Sequence, residues 1–461
     1  LWGDAAMNLM PMTRRMALRS AAAAIAAAAS PFAARLGHAA GPVRKRKNIE
    51  KLGADELNAY KHAIKIVKDR GKADPNDRKG YDYWAALHDF FDESIHSGCA
   101  HFSEKFFPWH RRYLFDFEAV LQQSDPPVTA NVMIPYWDWT LPPIQGVHFP
   151  SAFEDRTSPL FDNRFNITPP PWDADDVRFM VQEKDWNVFA GKPDPSNAFG
   201  RNPGTVENGP HNGLHLNISR DMHDADTAVQ DPIFWSFHAG IDLVWSRWQR
   251  LNVSESKPQP FADPQAVIFF QDRTFKVGST AKTADFGYEY DYDFSKDGPA
   301  ASGPALEAVQ ASVLAPARRV TQLTAGATKG RDLTMQVPEK PQASTLLRLA
   351  DVKVLNDRSY RLNLYLHPKD VDLSSLSADA RKAYFMRTLT LWKAHHPGEV
   401  EMFVRPTPPQ MTRLAEGWVV TVQSEDAVPP PRAGSLESTA PARPALPATS
   451  ELIKGIELQE R

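Results

Sequence analysis

The sequence predicts a mainly α domain with a four-helix-bundle core, followed by a β-sandwich domain. Three observations carry this expectation. Residues 49–250 hold several segments with apolar side chains at helical spacing. Two groups of histidines, at 88–110 and 211–238, lie on separate segments in aromatic surroundings, as in sites built from facing helices of a bundle. After Arg250 the pattern changes to short β-prone runs, and several such runs in succession suggest an antiparallel sandwich.

In order along the chain, residues 1–40 read as an export signal. Arg14 and Arg15 form a twin-arginine pattern, and an Ala-rich run follows from Ser20 to Ala34, too short and too weakly apolar to span a membrane. Small residues at Gly37 to Ala40 offer a cleavage site, so the mature form carries no membrane segment. Residues 41–48 read as a basic linker. The stripe of Leu52, Leu57, Tyr60, Ile64 and Val67 predicts a helix over Ile49–Lys68. A second helix is expected over Tyr81–Ile95, and a third over Trp109–Gln123 with Leu114, Phe117, Val120 and Leu121 facing the core. Residues 141–206 are rich in Pro, Asn and Asp and read as long loops. Two further helices are expected over 211–220 and 232–250, the second capped by Asp231 with Pro232 in its first turn.

Val267–Phe270 is a short apolar run, and an aromatic stretch follows over Phe286–Tyr292. Residues 295–317, rich in Ala, Gly, Pro and Ser, read as a linker. Strands are expected at Leu333–Val337, Ser344–Val354, Tyr360–Leu366, Arg387–Trp392, Glu401–Val404 and Gly417–Val422, within a domain over 318–424. Residues 425–461, rich in Pro, Ala, Ser and charge, are expected to be a disordered tail.

Composition narrows the function classes. A formal charge of −3 over 461 residues gives no electrostatic reason to expect nucleic acid or an anionic membrane as partner. One cysteine, Cys99, excludes an intrachain disulfide framework.

The histidines point to metal. His211 and His215 stand four apart, which puts both imidazoles on one helix face. His238 follows on the next helix, and His88, His96, His101 and His110 form the second group. Converging neutral imidazoles suit copper, zinc, iron or nickel. Two groups suggest two metals facing each other. A zinc hydrolase of the H-E-x-x-H kind would need Glu after His211, and Asn212 stands there instead.

Four motifs in order carry a resemblance. They are His101-x8-His110 within F-F-P-W-H-R-R-Y-L, P-Y-W-D-W-T at Pro135–Thr140, H-N-G-L-H at His211–His215, and D-P-I-F-W-S-F-H with Asp242 four beyond His238. Over roughly residues 45–295 the chain resembles the type 3 copper proteins: tyrosinases, catechol oxidases and haemocyanins. Phe237 departs from many relatives, which have a second histidine there. The resemblance implies a dicopper site, with copper A held by His88, His101 and His110 and copper B by His211, His215 and His238. His96 stays open as a rival to His88. It implies a thioether between Cys99 and His101. It also implies that Glu207 and Asn212 act together, the carboxylate holding a water that the amide orients. A phenol, with a pKa near 10, must lose its proton before it binds copper.

The implied activity is o-hydroxylation of monophenols and oxidation of o-diphenols to o-quinones by O2. Catechol oxidase activity alone, or oxygen carriage of the haemocyanin kind, are the alternatives. Phe106, Phe107, Phe234 and Trp235 are expected to wall the substrate pocket. Asp242 either orients a ligand or pairs with an arginine. A twin-arginine signal exports folded, cofactor-loaded proteins to the periplasm or beyond. The aromatic stretch at 286–292 and the strands after it resemble the end of the catalytic domain and the C-terminal domain of latent plant-type polyphenol oxidases. A lid over the pocket is thus implied, with loops Asn356–Arg358 and Lys393–Gly398 as candidates for its contact.

Overall fold

The computed structural model describes residues 43–88, 99–141, 149–164, 172–193, 202–218, 220–254, 258–270, 273–298, 319–325, 332–336, 345–393, 398–427 and 444–460. The expected signal, His96 and most of the expected 295–317 linker lie outside them. Among the described residues no helix is long and apolar enough to cross a membrane.

The helical part begins with α1 (Ala54–Ala73), which buries Tyr60, Ala63, Ile64 and Val67 along one face. Glu56 reaches back to the Gly53 amide at 3.0 Å and satisfies one of the orphan donors of the helix start. The helix starts five residues later than expected. Helix α2 (Tyr81–Leu87) ends at His88, which is its C-terminal cap. Helix α3 (Phe106–Ser124) is buried on nearly every side, including Arg111, Asp116 and Glu118. Short helices α4 (Ala174–Val181) and α5 (Trp186–Ala190) are capped by Asp173 and Asp185. They punctuate the loop-rich stretch. Helix α6 (Asn212–Ile218) follows a π-type turn over Glu207–His211 that is broken at Gly209 and contains Pro210. Helix α7 (Ile233–Asn252) is started by Asp231, which accepts from the Ile233 amide at 3.0 Å. Helix α3 packs against both α1 and α7. Phe117 of α3 stacks on Trp235 of α7 at 3.7 Å between ring centroids.

The supposed basic linker is a correction. Arg44–Arg46 forms strand β1. Strand β2 (Val267–Phe270) pairs antiparallel with β3 (Arg273–Lys276). Strand β4 (Tyr288–Tyr290) pairs parallel with β1, Arg46 opposite Tyr290. Arg46 is 0% exposed. It donates to Glu118 at 3.0 Å and lies over the Tyr288 ring at 3.8 Å. A run of four basic residues reads as solvated, but here one of them neutralises buried carboxylates, which is what lets an arginine be buried.

The C-terminal part is a β-sandwich of two antiparallel sheets, as expected. One sheet has the order β10-β9-β12-β7-β6 and the other β11-β8-β13-β5. The strands are β5 (Arg319–Gln322), β6 (Thr324–Ala325), β7 (Leu333–Gln336), β8 (Leu346–Val354), β9 (Tyr360–His367), β10 (Phe385–Leu391), β11 (Gly398–Val404), β12 (Val419–Asp426) and β13 (Ile453–Glu460). Period-2 alternation explains β9: Tyr360, Leu362, Leu364 and Leu366 are buried, while Arg361, Asn363 and Tyr365 are less so.

The expected disordered tail is the second correction. Strand β13 lies inside a sheet, with Ile456 opposite Leu349 of β8 and Leu458 opposite Thr321 of β5. Its Ile453, Ile456 and Leu458 are buried. Eight residues with an apolar face suffice for a strand, whatever the Pro- and Ala-rich composition before them.

Candidate metal centre

The six histidines come together. None is more than 2% exposed. His88 stands at the end of α2 and His110 in α3. His211 and His215 flank the start of α6, and His238 lies in α7. His101 precedes α3. Ring centroids of His101 lie 5.3 Å from both His110 and His211, and His211 lies 4.7 Å from His215. His88 lies 5.7 Å from His110.

Each ring is held by its Nδ1. His110 and His238 donate to the carbonyls one turn earlier, Phe106 at 2.8 Å and Phe234 at 3.0 Å. His88 faces Ala225 O at 3.3 Å, and His215 donates to Met222 O at 2.9 Å. His101 donates to Glu207 Oε1, and His211 to Asn212 Oδ1, both at 2.9 Å. With Nδ1 carrying the proton, Nε2 is left as the lone-pair nitrogen in all six rings, the arrangement that orients metal-ligating imidazoles.

The donor set fits a metal. The Nε2 atoms of His88 and His215 are buried without a hydrogen-bond partner among the described residues. Those of His211 and His238 face each other at 3.1 Å. Two lone pairs in such contact repel unless a cation lies between them. Burial holds all six imidazoles below the usual histidine range, His88 down to about 4. The rings are neutral, as ligands must be. Distance alone does not divide them into threes. His110 groups with His88, Cys99 and His101, and also with His211 and His238.

The other expected residues divide. Glu207 is buried and accepts from His101 and from the Phe102 amide at 2.7 Å. Its Oε2 has no partner among the described residues, and burial pushes its carboxyl up to about 8. Cys99 is a free, buried thiol whose Sγ lies 3.2 Å from His110 Nε2, in one cluster with His88 and His101. Phe106 packs on His110 at 4.6 Å, and Phe234 stacks on His238 at 3.8 Å. Phe107 instead stacks on Phe189, and Trp235 on Phe117, so these two serve the core. Asp242 pairs with arginine rather than with a ligand: Arg111 Nε donates at 2.6 Å, joined by the hydroxyls of Tyr288 at 2.5 Å and Tyr290 at 2.6 Å.

Trp392 is the residue that the sequence reading missed. It follows β10 of the sandwich, next to the loop expected to make contact, and its ring lies 4.3 Å from His215 and about 6 Å from His101 and His211. Its indole donates to His223 O at 2.7 Å. Two residues earlier, Thr390 O accepts from Asn212 Nδ2 at 3.0 Å. The other expected contact loop is turned elsewhere, with Arg358 bound to Asp357 and Pro444 O.

Comparison with known proteins agrees with this geometry. The family model "Common central domain of tyrosinase" matches residues 78–179 and 150–251. A tyrosinase of Hahella sp. is 28% identical over 254 residues, 45% of this chain and 53% of that protein. The latent chloroplastic polyphenol oxidase of Prunus armeniaca is 30% identical over 186 residues, 33% of this chain and 30% of that protein. The chain thus spans about half the length of the first relative and under a third of the second. The solved structure of latent apple tyrosinase superposes with a TM-score of 0.60 at 18% identity, covering 91% of this chain and 96% of that one. It shares the fold, helical core and C-terminal sheets together. Domain match, relatives and buried histidine clusters agree: over residues 78–251 the chain matches the common central domain of tyrosinase, and it is similar to tyrosinases and polyphenol oxidases, a type 3 copper family whose centre takes two copper ions.

Proposed function

We propose that the chain is a copper-dependent phenol oxidase that uses O2, hydroxylating monophenols at the ortho position and oxidising o-diphenols to o-quinones. The observation that carries this is the set of six neutral imidazoles, each tied at Nδ1 and presenting Nε2. In this reading His88, His101 and His110 hold copper A, and His211, His215 and His238 hold copper B. When bound, the copper pair supplies the redox chemistry toward O2 and a Lewis-acid seat for the phenolic oxygen.

The chain's own residues do the rest. Phe106 and Phe234 bound the site with apolar faces, which suits an aromatic ring. Glu207 Oε2 is the proton acceptor, through a water that Asn212 orients. In the metal-free chain burial raises this carboxyl to about 8; cations bound nearby would favour its ionised form, the state that accepts a proton. Glu207→Gln should slow monophenol hydroxylation more than diphenol oxidation, since the diphenol is more acidic and more readily oxidised. Equal losses on both substrates would remove Glu207 as the selective base. Glu207 also holds His101, so copper content is measured on the same sample.

Trp392 over His215 supports latency, with the sandwich as a lid. It also favours a second reading, an oxygen carrier whose site is closed to phenols. Diphenol oxidation after the lid is displaced separates the two. The Cys99–His101 thioether and twin-arginine export remain part of the proposal. A peptide mass two hydrogens below the sum of the unlinked pair tests the first, and a cleaved, exported chain the second.

A further inference from the structure

We infer that the lid controls which reaction the centre performs, and not access alone, because its backbone holds the Asn212 amide. This rests on the reading of Asn212 as the water-orienting residue. Asn212 is 1% exposed, and both ends of its amide are engaged. Oδ1 accepts from His211 Nδ1 at 2.9 Å, and Nδ2 donates to Thr390 O at 3.0 Å. The partners fix which end is which. Thr390 belongs to β10, whose register is set by pairing with β9, Thr390 opposite Arg361 and Leu391 opposite Tyr360. Its carbonyl therefore moves only with the sheet. Trp392 is different. It lies beyond the strand end, and its contact with His215 is made by a side chain alone.

Two obstructions thus have two origins. The Trp392 ring covers the imidazoles and blocks any aromatic substrate. The Thr390 carbonyl takes one of the two N–H groups of Asn212 while His211 Nδ1 holds Oδ1, so the amide is pinned at both ends and cannot turn to orient a water beside Glu207. Diphenol oxidation needs the first obstruction removed. Monophenol hydroxylation, which also needs deprotonation, requires both removed. Docking is supported by Lys192 with Glu401 at 2.8 Å, Arg405 with Glu183 at 3.0 Å, and Lys393 with Asp224. Opposite charges on these pairs give a way to move the whole sheet without touching the centre.

The test compares four copper-loaded full-length chains: wild type, Trp392→Ala, Asn212→Ala, and Lys393→Glu with Arg405→Glu. Hydrogen–deuterium exchange of peptides over 207–218 and 385–393 reports docking, and kcat/KM is measured for a monophenol and its o-diphenol. Trp392→Ala should keep exchange in both peptides at the wild-type level. It should raise diphenol kcat/KM at least tenfold and monophenol kcat/KM less than threefold. The charge reversals should speed exchange in both peptides and raise both activities, restoring the monophenol-to-diphenol ratio. Asn212→Ala should speed exchange over 385–393 without any charge change, because a docking hydrogen bond is lost. Equal gains on both substrates in docked Trp392→Ala would overturn the inference and leave the Asn212 reading standing. An undocked chain that oxidises diphenol but never hydroxylates monophenol would overturn the Asn212 reading, and the inference with it.

Discussion

At the scale of single residues, the centre is legible because the proposed ligands recur at short spacings within helices. His211 and His215 share a face, and His110 and His238 each donate to a carbonyl four residues back. His211→Ala should lower copper to about one ion per chain and abolish oxidation; full activity would break the assignment. What the spacing could not reveal is Trp392, because it reaches the centre from just beyond a strand of the distant sandwich. A smaller constraint lies in the same motif. A Cβ at Gly213 would lie 1.8 Å from the Trp172 ring. Gly213→Ala should therefore cost roughly 1–3 kcal/mol in chemical denaturation, as overpacking does, despite the gain in helix propensity. Protonation follows from burial. In the copper-free chain the six depressed imidazoles contribute stability that is present above about pH 6.5 and lost as pH falls through their folded values. Glu207, raised to about 8, acts oppositely, losing stability as pH rises from its ordinary value toward 8. Six groups outweigh one, so the copper-free chain should have a lower urea midpoint at pH 5 than at pH 7; an unchanged midpoint would mean that the rings titrate freely.

At the scale of elements, periodicity located α1, α3, α7 and six strands of the sandwich to within about five residues, but α2 ends at Leu87 rather than at the expected Ile95. It failed where an element is short or its partner distant. Strand β1 looked like a solvated basic run because the carboxylates it neutralises, Glu118 and Asp242, belong to α3 and α7. Strand β13 hid behind the composition of the segment before it, although Ile453, Ile456 and Leu458 form an apolar face. Arg46→Ala should cost on the order of 3–5 kcal/mol, since it leaves buried carboxylates uncompensated. A loss below 1 kcal/mol would show that Arg111 and the two tyrosines suffice for Asp242. Removing residues 453–460 should unfold the sandwich and separate β5 from its only pairing partner among the described strands, with no comparable effect on α1, α3 and α7.

At the scale of the whole molecule, two units meet across the centre. Their contact combines a small apolar cluster, Val188, Leu346 and Phe403, with partly exposed ion pairs. Each such pair contributes roughly 0.2–1 kcal/mol and is screened by salt. Raising the salt from low to about 1 M should therefore increase diphenol oxidation several-fold, on the order of tenfold at most. A chain ending at Gly298 keeps the Arg247–Asp297 pair at 2.6 Å and lacks the sandwich proposed as a lid. It should exceed the full-length chain in activity, and equal activity would rule out the lid.

Six buried imidazoles are proposed to hold two coppers for phenol oxidation. The most direct measurement of this is elemental analysis of the metal-loaded chain, paired with oxygen uptake on an o-diphenol after the lid is displaced. The loaded chain should hold two coppers, and its oxygen uptake should vanish when copper is removed and return when it is restored. Zinc in place of copper, fewer than two ions, or uptake that persists without copper would contradict the proposal.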